Sequence, residues 1–211
     1  MNKYITEFIG TFFLVFAIGM ASLSGSSLTP VAIGAMLMVM VYMGGHVSGA
    51  HYNPAVTIAI LIRGKMEAKD VVPYIIAQIL GALGASAIVY WFMGNPLIPA
   101  PGAGVGMWQA LGAEMLLTFA LVLVILNVAT AKATEGNSYY GLAIGFTVMA
   151  GAATVGGISG GVFNPAVGTG PLLMSMFVGA EGAGNLWMYW VGPVVGAIAA
   201  AVAFKIQCPD G

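Results

Sequence analysis

The sequence has very little charge for its length. Of its 211 residues only 6% are charged, 60% are hydrophobic, and the mean hydropathy is +0.97. A soluble domain carries roughly 25% charged residues, so this chain cannot cover a water-facing surface with polar side chains. We therefore predict a membrane protein whose main partner is the lipid bilayer. The net charge of −1 gives no reason to expect a nucleic-acid partner.

Cysteine is also nearly absent. The single cysteine, Cys208, excludes a disulfide framework within the chain and a Cys-rich metal site. The two histidines, His46 and His51, have no partner spacing typical of metal ligands. No combination of nucleophile, base and orienting residue indicates an enzyme. We predict no metal, no cofactor and no catalytic residue.

Long apolar runs dominate the chain instead. A spanning helix needs about 20 mainly apolar residues, and six stretches qualify: 4–23, 29–49, 71–93, 108–130, 139–158 and 186–206. The first could be a cleaved secretion signal, because Lys3 precedes an apolar run that ends in small residues. Glu7 inside that run, and the recurrence of its pattern later in the chain, favour a retained helix.

Two short apolar stretches, 54–62 and 165–177, each follow an Asn. Asn is a strong N-cap residue, and Pro fits the first helical position, so Asn-Pro-Ala predicts a helix start at both places. About ten helical residues cover roughly 15 Å, half of the hydrocarbon core. We therefore predict two half-helices, and a fold class of all-α membrane protein with six transmembrane helices plus these two.

The two halves of the chain resemble each other. The segment 7–12 matches 114–119, and 45–56 matches 156–167, each match including one Asn-Pro-Ala. Each repeat has three spanning helices, an odd number, so the second repeat crosses the membrane in the opposite sense. We predict a single channel domain, 1–211, with repeat 1 at about 1–94 and repeat 2 at about 107–211.

The positive charges indicate the orientation. With alternating helices, all six basic residues fall on the side of the two chain termini: Lys3, Arg63, Lys65, Lys69, Lys132 and Lys205. Basic residues could simply mark loops, but random placement would rarely put all six on one side. The positive-inside rule then predicts cytoplasmic termini, in a cell membrane, either plasma or inner.

Inversion should bring the two half-helices together, N-terminus to N-terminus, near the membrane midplane. Because Pro excludes the α conformation from the residue before it, we expect extended backbone over 160–164. Non-helical backbone at that depth must be buried or line a watery cavity. Asn53 and Asn164 can cap their helices through oxygen and offer N–H donors to a central water. Such a water would interrupt a proton-conducting chain, and the two positive helix ends would oppose cations.

These motifs resemble those of the aquaporin/major intrinsic protein family. The resemblance covers nearly the whole chain and rests on Asn53-Pro54-Ala55 and Asn164-Pro165-Ala166 with their matched flanks. Supporting segments are Glu7-Phe8-Ile9-Gly10-Thr11-Phe12-Phe13, Ala77-Gln78 and Tyr189-Trp190-Val191-Gly192-Pro193. The resemblance implies an hourglass-shaped helix bundle, a homotetramer with one pore per subunit, and passive transport.

The resemblance also places the selectivity filter. By position it is a quartet, here called the filter quartet: Ile33, Ala152, Gly161 and Val167. The family usually has Arg where Val167 stands, and water-selective members typically add an aromatic residue and a His. Glycerol facilitators follow that Arg with Asp, where this chain has Gly168. The quartet has no ring, donor or charge, and Val at the Arg position resembles some plant vacuolar members, which pass small neutral solutes.

Other residues receive roles from the same resemblance. Glu7 and Glu114 are costly inside a membrane and could serve a proton relay; the resemblance favours carboxylates that accept backbone N–H groups of the half-helix loops. His51 is expected to line the pore, and His46 either lines it or is buried in the bundle. The remaining predicted pore-lining residues are Gly49, Ala50, Gly160 and Val162. Glycine pairs such as Gly45/Gly49 and Gly156/Gly160 are expected to be packing contacts between helices.

The leading hypothesis is a passive channel for water and small uncharged solutes, ammonia and glycerol among them, that excludes protons and ions. A secondary transporter also uses inverted repeats and broken helices, but it would need a charged or ion-coordinating cluster at the midplane. An ion channel stays open as an alternative, because the filter Arg is absent. A non-conducting adhesion protein would not need two intact Asn-Pro-Ala motifs.

Overall fold

The computed structural model describes residues 1–180 and 182–209. Over these residues the chain forms eight α-helices: α1 Asn2–Leu23, α2 Thr29–Ser48, α3 Pro54–Arg63, α4 Ala68–Met93, α5 Met107–Thr130, α6 Tyr140–Ser159, α7 Pro165–Phe177 and α8 Met188–Gln207. Short 3-10 turns at Lys132–Thr134 and Ala183–Asn185 lie in two of the connections. All but α3 and α7 belong to segments long and apolar enough to cross a membrane. The predicted fold class is confirmed.

The helix bounds differ most from the prediction at α4, which begins three residues early, at Ala68 rather than 71. Asp70 therefore lies in the first turn of a helix, where a negative charge is favourable. Its carboxylate accepts a hydrogen bond from Tyr4 Oη at 2.7 Å and pairs with Lys3. These contacts fix the start of α1 against the start of α4.

The bundle is held by repeated helix pairs: α1 packs along α4, α5 along α8, and α2 along α6. Small residues allow the close approach. A Cβ built on Gly81 of α4 would lie 2.4 Å from the Phe8 carbonyl oxygen, and one on Gly196 of α8 would lie 2.2 Å from that of Met115. The first and third helices of each repeat therefore cross at equivalent glycines.

Not every glycine predicted as a packing contact is one. Gly49 and Gly160 follow α2 and α6 in the left-handed conformation, with φ of 83° and 92°, and end those helices. Gly156 has open space where a Cβ would stand. Spacing alone could not separate packing glycines from helix-ending ones.

The basic residues gather at one end of the bundle. Arg63, at the end of α3, donates to Thr130 Oγ1 at the end of α5 (3.2 Å) and lies 4.9 Å from the Phe204 ring near the end of α8. Lys3 and Lys69 are in the first turns of α1 and α4, beside this end. We call this end, where both termini lie, the terminal side, and the opposite end the far side.

Candidate functional site

The two Asn-Pro-Ala motifs begin the two half-helices. Asn53 is the N-cap of α3, and its Oδ1 accepts a hydrogen bond from Ala55 N at 2.9 Å. Asn164 is the N-cap of α7 and accepts from Ala166 N at the same distance. In both helices Pro is the first residue, where its missing N–H costs nothing. Each capping oxygen satisfies an otherwise unpaired N–H group.

The same Asn side chains tie the two half-helices together. Asn53 Nδ2 donates to the Phe163 carbonyl oxygen at 2.9 Å, and Asn164 Nδ2 donates to that of Tyr52 at 2.8 Å. The half-helices thus meet N-terminus to N-terminus. An Asn amide has two N–H donors, so each keeps one beyond this bond. Both side chains line the central cavity described below.

The loop before α7 is not extended throughout, as the sequence had suggested. Asn164 is extended, with φ −156°, but Gly160, Gly161 and Phe163 have φ of 92°, 65° and 50°. Proline restricts the residue directly before it and leaves the others free. The left-handed residues turn the backbone repeatedly, so that successive peptide groups face different directions.

The loop before α3 repeats this conformation with fewer glycines. Gly49, Ala50 and Tyr52 have φ of 83°, 51° and 49°. A left-handed conformation costs a residue with a Cβ roughly 1–2 kcal/mol. Strain of this kind persists only where surrounding bonds fix the backbone, and a buried carboxylate supplies those bonds in each half.

Glu7 holds the first loop. Its Oε1 accepts from Ser48 Oγ at 2.7 Å and from His51 N at 2.9 Å. Its Oε2 accepts from Tyr52 N at 2.6 Å and from Gln78 Nε2 at 2.8 Å. The carboxylate is fully buried, and four donors compensate for the loss of its hydration.

Glu114 holds the second loop in the same way with one donor fewer. It accepts from Ser159 Oγ at 2.7 Å, Val162 N at 2.9 Å and Phe163 N at 2.6 Å. Pro193 stands in α8 where α4 has Gln78, and it has no donor to offer. Neither carboxylate lines the cavities described next. Each carboxylate accepts two backbone N–H groups of its own half-helix loop, which favours a structural role over a proton relay.

A wide vestibule opens on the terminal side. Its volume is about 760 Å³, and its deepest residues include Gly49, Ala50 and His51. Beyond it lies a central cavity of about 30 Å³ at the junction of the half-helices. A water needs roughly 10–15 Å³ of such space, so the central cavity holds about two.

The lining of the central cavity follows the internal repeat. Its 18 residues form nine pairs that occupy equivalent positions in the two halves. The pairs are Leu14 with Leu121, Ile18 with Ile125, Ile33 with Ile144, Leu37 with Val148, Ala50 with Gly161, His51 with Val162, Tyr52 with Phe163, Asn53 with Asn164, and Val56 with Val167. None of the 18 is an acidic or basic residue other than His51. The cavity is an apolar tube with two Asn donors at its middle.

Three members of the filter quartet line this cavity: Ile33, Gly161 and Val167. Ala152 does not, although a Cβ on Gly161 would lie 3.5 Å from its Cα. The structure thus brings the quartet together on the far side of the junction. Sequence reasoning missed the α1 and α5 contributions, Leu14, Ile18, Leu121 and Ile125. Leu14 and Ile18 follow Glu7 at the same spacings as Leu121 and Ile125 follow Glu114, and this repeated spacing could have identified them.

The predictions for two other residues need correction or refinement. His46 is neither pore-lining nor buried: it is exposed on α2, while Gly45 and Ser48 line the vestibule. A helix turns about 100° per residue, so His46 lies on a different face of α2 from Gly45 and Ser48. Gly160 lies on the far side, exposed and close to the Ala100 backbone, and does not line either cavity. Val162 lines the central cavity.

The family model described as "Major intrinsic protein" matches residues 1–204. The chain belongs to the major intrinsic protein family. One relative in that family, "Glycerol uptake facilitator protein-like 6" of Lactiplantibacillus plantarum, is 39% identical over 98% of each chain. Another, "Aquaporin AqpM" of Methanothermobacter thermautotrophicus, is 38% identical over 97% of this chain and 96% of its own.

A solved structure has the same fold. The aquaglyceroporin from Plasmodium falciparum superposes with a TM-score of 0.89 over 99% of this chain and 97% of its own, at 24% sequence identity. Members of the major intrinsic protein family are membrane channels. The protein is therefore an integral multi-pass membrane channel and not an enzyme, as the sequence predicted.

Proposed function

We propose that the protein conducts water and small uncharged solutes passively, with glycerol and ammonia as the first candidates, and excludes protons and ions. The observation that carries the proposal is the central cavity: an apolar tube in which Asn53 and Asn164 place their amides at the meeting point of two half-helices. Polar solutes can exchange hydrogen bonds there, one at a time, without a charged binding group.

Ion exclusion follows from the same junction. Each helix N-terminus carries about half a positive charge, and the N-termini of α3 and α7 face each other across it. A cation would meet this field without a compensating carboxylate, since Glu7 and Glu114 are used by the loops. A central water that accepts from both Asn amides must direct its own protons outward, which interrupts proton transfer along the file.

Permeation by solutes larger than water is supported by the filter quartet. The position that carries Arg in most relatives of this family is Val167, and Gly161 and Ala152 add little bulk beside it. This arrangement removes both a charge and a set of donors from the narrowest region expected of the family. One relative is named for glycerol uptake, which is consistent with passage of a solute larger than water.

The transporter alternative has less support. Coupled transport needs groups that bind an ion or a proton, and the 18 residues lining the central cavity include no carboxylate. The ion-channel alternative rests on the missing Arg alone. The facing helix ends remain as a barrier, and no carboxylate lines the central cavity to stabilise a dehydrated cation.

Stopped-flow light scattering on proteoliposomes tests the proposal with water, ammonia, urea and glycerol in turn. We expect fluxes that rise linearly with the gradient and a low activation energy for water, compared with protein-free vesicles. If the protein passed water but excluded ammonia, urea and glycerol, the proposal that the filter admits solutes other than water would be contradicted. Saturating, ion-coupled flux would contradict a passive channel, and single-channel currents would contradict ion exclusion.

Assembly and placement are further parts of the proposal. We infer one channel domain of two inverted repeats, a homotetramer, and cytoplasmic termini in a plasma or inner membrane. The paired contacts of Glu7 and Glu114 support the inverted repeats, and family membership supports the tetramer. The six basic residues at the terminal side support the orientation.

A further inference from the structure

Four residues line both the terminal-side vestibule and the central cavity, and therefore separate one from the other. They form what we call the terminal-side constriction: Ala50, His51, Ile125 and Ile144. A solute entering from the vestibule leaves a space of about 760 Å³ and enters one of about 30 Å³ through this ring.

The internal repeat allows a comparison of the filter quartet with its four equivalents on the terminal side, of which Ala50 and Ile144 belong to the constriction. Ile144 is the equivalent of Ile33, Val41 of Ala152, Ala50 of Gly161, and Val56 of Val167. Two of these pairs are chemically identical. In the other two the terminal side has the larger residue, so it carries three more side-chain carbons in all.

Burial agrees with side-chain size. Val41, Ala50 and Ile144 are 3%, 9% and 5% exposed, whereas Ala152 and Gly161 are both only half-buried. The equivalent pair His51 and Val162 adds to the difference, because an imidazole ring is bulkier than an isopropyl group. The far-side filter therefore carries less side-chain bulk than the equivalent positions on the terminal side.

The His51 ring is held in place and cannot easily move aside. Its Nδ1 lies 3.1 Å from Thr57 Oγ1, which also accepts from Gln78 Nε2 at 3.0 Å. On its other side the ring packs against Tyr74, with 5.1 Å between centroids. When Thr57 donates its single proton to the Asn53 carbonyl, Nδ1 of His51 is the donor to Thr57. Nε2 is then an acceptor, near Gly49 at the floor of the vestibule.

We propose that the terminal-side constriction, and not the filter quartet, sets the size limit for solutes in this channel. Loss of the large side chains from the far-side filter leaves the ring around His51 as the narrower passage. It has one fixed acceptor, so it favours solutes with O–H or N–H donors. This inference rests on the proposed function, since it concerns which neutral solutes the pore passes.

Matched truncations in the two halves test the proposal. Ile144→Ala removes three side-chain carbons from the terminal-side constriction, and Ile33→Ala removes the same three from the filter quartet. We expect Ile144→Ala to raise the ratio of glycerol to water permeability in proteoliposomes by roughly fivefold, a change in the barrier for the larger solute. Ile33→Ala should change the ratio much less. Val47→Ala, on the exposed outer face of α2, is the control for truncation itself.

A second variant guards against misfolding. Ala50→Gly removes one methyl group from the constriction at a residue with φ of 51°, a conformation that Gly adopts freely. It should raise the glycerol-to-water ratio as Ile144→Ala does, by a smaller factor. A larger effect from Ile33→Ala than from Ile144→Ala, or equal effects, would overturn the proposal. If no form conducted water above protein-free vesicles, the proposed function itself would fail.

Discussion

Gly34 of α2 and Gly145 of α6 lie against each other with no side chain between them. A Cβ on Gly34 would lie 2.6 Å from the Gly145 carbonyl oxygen, and one on Gly145 would lie 2.5 Å from that of Gly34. The two glycines occupy equivalent positions in the repeats. The contact therefore joins the halves backbone to backbone, with Met149 Cβ and Met38 Cβ almost equally close, directly beside Ile33 and Ile144 of the pore lining.

Substitution at this contact should be severe. We expect Gly145→Ala to destabilise the protein by at least about 1–3 kcal/mol, the usual range for overpacking, because the obstacle is backbone that cannot rotate away. The measurement is the thermal unfolding midpoint in detergent. Gly112→Ala is the control, since nothing lies within 4 Å of a Cβ there. Equal midpoints for the two variants would contradict the prediction.

The Glu114 carboxylate should be required for the second half-helix loop. In Glu114→Gln one acceptor becomes an NH₂ group that faces a backbone donor such as Phe163 N, and an unsatisfied buried group costs about 1–3 kcal/mol. We expect a lower yield of folded protein and a lower unfolding midpoint. Glu135→Gln, at an exposed position, should match the unmodified protein. A tolerant Glu114→Gln variant would mean that the loop is held by other contacts.

Restoring the family's Arg should narrow the far-side filter. Val167 is almost fully buried beside the central cavity, and Arg there adds bulk, donors and charge. We expect Val167→Arg to reduce glycerol flux roughly tenfold and water flux much less, by adding a second barrier to the larger solute. Val167→Met separates bulk from charge. Unchanged glycerol flux in correctly folded Val167→Arg would count against the assigned position of the filter.

Mercury should block the channel poorly. Cys208 follows α8, its Sγ lies 3.9 Å from Asn127 Oδ1, and it is not among the residues that line either cavity. Gly161→Cys should make water flux sensitive to mercury, because Gly161 lines the central cavity. Its left-handed backbone can carry a side chain, since Ala50 does so at the equivalent position. The double variant Gly161→Cys, Cys208→Ser should be as sensitive to mercury as Gly161→Cys alone. Strong block of the unmodified protein by mercury would contradict the prediction.

The orientation can be tested with an impermeant thiol reagent on intact cells. Ser26 lies in the far-side connection between α1 and α2, so Ser26→Cys should label from outside. Cys208 on the terminal side should label only after permeabilisation. The reverse pattern would show that the basic residues do not face the cytoplasm.

The sequence by itself determined the fold class, because each signal it used is local. A run of about 20 apolar residues predicts a spanning helix, and Asn followed by Pro predicts a capped helix start at 53 and at 164. The matched halves with an odd number of spans then predict inversion. The sequence also predicted that Glu7 and Glu114 accept N–H groups, since a buried carboxylate needs donors and the resemblance indicated which loops supply them.

Only the tertiary structure decided which faces of the helices meet the pore. When every face of a helix is apolar, the local sequence does not show how the helix is rotated about its axis. The same apolar side chains can pack against lipid or against protein. That is why His46 was wrongly placed, and why Leu14, Ile18, Leu121 and Ile125 were missed. The left-handed residues before Asn53 and Asn164 were hidden for a related reason. The loops donate hydrogen bonds to Glu7 and Glu114, which are distant in sequence, and these bonds stabilise a backbone conformation that Ala50, Tyr52 and Phe163 would not adopt alone.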